Sequence, residues 1–183
     1  MKIELEAEWG DWHEIDRAHL DERNCFGIYQ IRMVDKVGRP IPISRIVGID
    51  EEGVIYIGRS GPKKPRTLAQ RIREFQKGAH SGAKTYRLMN ENCESFKHLY
   101  SSHRLQYRAM HLQASEDITN IIKQKEALIG EDFSYRTKIE LMEGVAVINY
   151  VNRYGELPPC NSSFPMWKAF MEWVQKTKRN EQR

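Results

Sequence analysis

A chain of 183 residues, 40% hydrophobic and 30% charged, is long enough for one domain with a genuine core. No apolar run approaches the ~20 residues that span a bilayer, and the acidic opening MKIELEAEWGD lacks the apolar core of a secretion signal. Three widely spaced cysteines (Cys25, Cys93, Cys160) with no CxxC pair argue against a disulfide framework or a thiolate zinc site, so a cytoplasmic protein without membrane attachment is expected.

The net charge of +4 conceals two opposed blocks. Residues 1–23 carry eight acids and three bases, whereas residues 58–87 carry nine bases and one acid, Glu74. A clustered basic field draws a polyanion such as nucleic acid, by Coulomb attraction and counterion release. The plain alternative is a solvated basic helix face.

In chain order, FGIYQIRMV (26–34) is rich in β-branched and aromatic residues and predicts a strand, with Tyr29 in phase with Ile31 and Met33. VGRPIPISRIVGIDEEG carries prolines and glycines, so it predicts a long turn or an ornamented hairpin. VIYIG (54–58) predicts a second strand, with Tyr56 in phase with Val54. A helix follows, with Thr67 as N-cap, Leu68, Ile72 and Phe75 at helical spacing, and Gly78 ending it. Arg71 falls inside that apolar stripe. It either snorkels to water or lines a cleft that receives an anion.

RLQYRAMHL (104–112) predicts a third strand. A helix is expected from Ser115 to Glu131 on the stripe Ile118, Ile121, Ile122 and Leu128, with Glu126 at the stripe's edge. LPPCNSSFP reads as a loop, and residues 165–180 as a last amphipathic helix whose aromatic stripe is core packing. No repeat or linker divides the chain. The expectation is a single domain, 1–183, with a core over 26–163, an acidic N-terminal extension over 1–25 and a C-terminal amphipathic helix over 164–183.

GIY at 27–29 and YIG at 56–58, each on a strand, resemble the signature of the GIY-YIG nuclease family. TLAQRIREF resembles the family helix that carries an arginine, here Arg71. KEALI resembles the helix with the metal-binding glutamate, here Glu126. PPCN resembles the closing loop with its asparagine, here Asn161. The resemblance implies an α+β fold of the sandwich type, a small three-stranded antiparallel sheet flanked by helices. It also implies hydrolysis of phosphodiester bonds by a divalent ion, Mg²⁺ or Mn²⁺, held chiefly by the glutamate.

On that reading the protein is a metal-dependent DNA endonuclease. Tyr29 and Tyr56 surround the scissile phosphate with Arg71, and Asn161 completes the site. A phenol serves as general base at neutral pH only if its pKa is depressed, and the nearby metal and arginine would depress that of Tyr29. Carboxylate oxygens suit Mg²⁺, which keeps several waters and accepts few protein ligands. Gly58 would let the backbone approach closely. Arg59, Lys63, Lys64 and Arg66 would meet phosphates, and His80 would assist the base or the phosphate.

Phe75 departs from the family, many of whose members place a histidine or tyrosine there. Too few residues flank the core for an appended domain, which favours a stand-alone, restriction-type enzyme, with a homodimer in view. The alternative is a nucleic-acid-binding module of the same fold with impaired chemistry.

Overall fold

A computed structural model describes residues 8–23, 25–60, 66–94, 103–111 and 135–162. The helices expected at 115–131 and 165–180, together with Glu126, Lys63 and Lys64, lie outside the described residues. The fold is mixed α/β, and its sheet is antiparallel throughout.

The central strand is β2 (Gly27–Val34), paired on one side with β5 (Val54–Ser60) and on the other with β6 (Arg104–His111). A short β1 (His13–Glu14) lies outside β6, so among the described residues the sheet has four strands where three were expected. The fourth exists because the segment read as an acidic extension is part of the domain. After β1 it makes one 3-10 turn (Ile15–Arg17) and helix α1 (Ala18–Asp21), which carry Ile15 and Ala18 into the core. Between β2 and β5, the proline-bearing excursion forms a separate two-stranded ribbon, β3 (Ile43–Ser44) with β4 (Ile49–Asp50).

Strand β2 is buried on both faces, which is why apolar residues stand on each of them, with Gln30 buried among them. One face packs on α1 and on α2 (Leu68–Gln76), with Ile31, Leu68, Ile72 and Phe75 in that core. The other packs on α4 (Tyr135–Tyr154), where Ile28, Ile57 and Met110 meet Ile139, Met142 and Val147. Helix α3 (Ser81–Asn92) continues from α2 after the turn at Gly78, whose φ of +71° a side-chain-bearing residue would resist. Thr67 caps α2 as expected, in a reciprocal box with Gln70.

The phase of Tyr56 differs from the strand pattern. Register slips between Ile31 and Arg32, leaving Ile55 as the extra residue of a bulge on β5. Beyond it the alternation inverts. Tyr56 therefore joins the α2 face, while Val54 joins the α4 face.

Asp50 fixes α4 against the start of β5. Its buried carboxylate accepts hydrogen bonds from the backbone of Glu52 and Val54 and from the Tyr150 hydroxyl at 2.8 Å. Those bonds set how far along β5 the upper turns of α4 lie. Among the described residues, no helix is long and apolar enough to cross a membrane.

Candidate functional site

Tyr29 and Gly58 face each other across β2 and β5, and Tyr56 lies two residues before Gly58 on the same face. The two phenol rings stand 5.8 Å apart, tilted by 51°. A Cβ at Gly58 would lie 2.4 Å from Tyr56 Cε1 and 2.9 Å from both Cζ and Oη of Tyr29. The bare backbone of Gly58 is thus the floor over which both phenols lean. Gly82 does the same from α3, where a Cβ would lie 2.4 Å from Tyr56 Cε2. The glycine of YIG is explained here by two side chains of the protein itself.

The protein's own groups hold both phenols protonated, and Arg71 alone does not supply the depression expected for Tyr29. Burial pushes the Tyr29 hydroxyl well above the ordinary 10, and the opposing pull of Arg71 is too weak to reverse it. Tyr56 is pushed up to about 12, by burial first and then by the charge of Glu143. Tyr29 Oη is buried and, among the described residues, has no partner in full hydrogen-bond geometry, although it lies close enough to the Tyr56 hydroxyl for each to influence the other.

Arg71 reaches this pair from α2. Its Nε donates to the Arg59 carbonyl at 3.2 Å and its Nη1 to Glu74 Oε2 at 2.8 Å. Its charge acts on Tyr29, Tyr56, His80 and Glu143 alike. Of the two explanations for an arginine in the apolar stripe, the placement matches a half-buried cation beside a polar site. Arg59 alternates away from Gly58 and faces α4, where it pairs with Glu140 at 2.5 Å and Glu143 at 2.9 Å.

Glu143 is the residue that pattern reading passed over. It lies within the apolar stripe of α4, four after Ile139 and four before Val147, and is only 8% exposed. Burial pushes its carboxyl up to about 7 although Arg59 and Arg71 both pull it down. The signal was there in LMEGVAVINY, one carboxylate in an otherwise uncharged run of ten. The carboxylate named from sequence, Glu126, lies outside the described residues.

Asn161 belongs to the site by position. Its Oδ1 accepts from Ile57 N at 2.9 Å and its Nδ2 donates to Ile57 O at 2.8 Å, so its amide clasps β5 between Tyr56 and Gly58. It positions the strand and has no donor directed at a substrate through those bonds. His80 stands at the start of α3 beside Tyr56. Its Nδ1 accepts from Ala83 N at 3.5 Å to cap α3, and its ring packs 5.3 Å from Tyr56. With Nδ1 accepting, the proton sits on Nε2, which is buried and has no partner among the described residues. Burial, helped by Arg71, lowers its pKa to about 4, so it is neutral at neutral pH. Phe75 is fully buried and backs Tyr56 at 5.1 Å. Arg66, more exposed, shares Glu74 with Arg71 at 3.0 Å.

No family model, curated protein or solved structure matches this chain.

Proposed function

We propose that the protein is a divalent-metal-dependent DNA endonuclease of the GIY-YIG kind. The observation that carries the proposal is the pair of protonated phenols over the bare backbone of Gly58, with Arg71, and Glu143 from the α4 side of the sheet, near enough for their charges to act on both phenols. The residues fit a hard divalent ion. An ionised Glu143 is under-compensated even by two guanidinium groups, and a buried carboxylate in that state gains from a cation.

Glu143 would hold the ion, and the ion when bound supplies positive charge for the phosphate and the leaving oxygen. Arg71 binds non-bridging phosphate oxygens through the donors that Glu74 leaves over, and its charge is permanent. Tyr29 Oη keeps its proton. As a neutral phenol it donates and accepts at once, which would orient an attacking water whose proton leaves to a phosphate oxygen or to solvent. His80 Nε2–H is a second uncommitted donor beside Tyr56. The basic stretch of residues 58–87 draws the DNA backbone toward this edge of the sheet.

The test is nicking of supercoiled plasmid with Mg²⁺ by wild type, Arg71→Ala and Tyr29→Phe, with DNA retention measured alongside. Cutting by wild type that falls by orders of magnitude in both variants, while retention persists, supports the reading. Retention without cutting by wild type replaces it with a binding module. Normal cutting by Arg71→Ala removes this site from the reaction.

A further inference from the structure

A second cluster lies at the far side of β2 from Arg59. Glu22, Cys25 and His111 come from the end of α1, the turn into β2 and the end of β6. One ligand atom from each lies within 4.8 Å of the others, and His111 Nε2 is 2.6 Å from Glu22 Oε2. A tetrahedral ion with bonds of about 2.0–2.3 Å separates its ligands by roughly 3.3–3.7 Å. The cluster brackets that spacing, and side-chain rotation alone can reach it.

Three features make this more than a chance approach of polar groups. The Glu22 side chain is only 5% exposed, a burial carboxylates tolerate only when paired, while its partner His111 is open to solvent. The backbone is tied down at every ligand. The carbonyls of Glu22 and Cys25 receive Ala69 N and Leu68 N at the start of α2, and His111 pairs with Gly27 in the sheet. The backbone positions of the three ligands are therefore held by bonds that do not depend on an ion. Finally, the donor set is mixed: carboxylate oxygen, thiol sulfur and imidazole nitrogen. That set suits Zn²⁺ and its neighbours in the transition series, not Mg²⁺.

We infer that Glu22, Cys25 and His111 form a three-ligand site for a borderline transition-metal ion, Zn²⁺ by preference, with its fourth position open to solvent on the His111 side. Binding displaces the Cys25 thiol proton. It also joins the α1 turn to the last residue of β6, a link across more than eighty residues of chain. The sequence hides this site because its ligands lie in two distant segments and no CxxC pair announces it. It shares no residue with the Glu143 site, and the two stand or fall separately.

Chelator-treated full-length protein is titrated with Co²⁺. One equivalent should produce the near-ultraviolet absorption of a thiolate–cobalt bond, and Zn²⁺ should displace it. Cys25→Ser should lose the band, and Glu22→Gln and His111→Gln should weaken Co²⁺ binding at least tenfold. Glu143→Gln should retain it. In wild type, Zn²⁺ should also slow alkylation of Cys25 relative to exposed Cys93, a readout that needs no variant to fold. Absence of the band in wild type, its persistence in Cys25→Ser, or equal protection of both thiols would overturn the site.

Discussion

Replacing Glu143 by glutamine should remove cutting and yet strengthen the fold at alkaline pH. The folded carboxyl titrates near 7 against an ordinary 4.5. Each pH unit by which a pKa rises on folding corresponds to about 1.4 kcal/mol, so ionised Glu143 costs the fold about 3 kcal/mol. The raised pKa fixes the sign. Below pH 4.5 both states are protonated and nothing is lost. From 4.5 to 7 the unfolded chain releases its proton first, so stability falls as pH rises. Above 7 the full cost is present. Glutamine does not titrate, and an amide less well paired with Arg59 gives back about 1 kcal/mol. The expected net gain is about 2 kcal/mol at pH 8.5, shrinking to zero or slightly below at pH 5. Urea denaturation of both proteins in a chelating buffer at the two pH values measures it. A difference that does not grow with pH, or a variant weaker at pH 8.5, would refute the electrostatic argument.

Gly58→Ala drives a methyl group into both phenols and should cost about 1–3 kcal/mol, read as a lower urea midpoint; an unchanged midpoint would mean the rings have room to move. His80, with its pKa lowered to about 4, makes the fold lose stability as pH falls from 6.5, because the unfolded chain takes up the proton first. Its partial solvent contact limits the loss to about 1–2 kcal/mol by pH 4.5, and His80→Gln should remove that part of the slope; an identical slope in the variant counts against it. Replacing Lys63, Lys64 and Arg66 together by alanine should flatten the salt dependence of DNA retention by roughly 0.9 for each phosphate no longer neutralised. An unchanged slope would leave these bases as a solvated face.

Local chemistry made part of the architecture legible. The three long strands, the capped α2 and the misplaced Arg71 all follow from patterns within ten residues. What stayed hidden depends on contacts between distant segments. Tyr56 changes face because a bulge at Ile55 inverts the alternation, and that bulge is a property of the pairing with β2. Helix α4 was missed because EGVAVINY offers glycine and β-branched residues that resemble a strand. Burial against Ile28, Ile57 and Met110 overrides that preference. Glu143 went unseen with it. The phenols' raised pKa values are likewise a matter of desolvation, which periodicity does not report. Helix α3 was obscured by Gly82, whose reason is the Tyr56 ring from another element.

The Asn161 clasp also bears on how safely the chain can be made. Among the described residues strand β5 ends the sheet, and an apolar outer strand with open backbone groups invites pairing with another chain. Asn161 answers both backbone groups of Ile57, and Cys160 N answers Ile55 O, so the border is sealed by chain drawn from 104 residues away. A ribosome finishes VIYIG long before it reaches that loop. Throughout that interval the strand is an adhesive surface, and truncation before residue 160 would leave it so permanently. Aggregation of nascent or clipped chains, with full-length protein remaining soluble, is the signature this arrangement would leave.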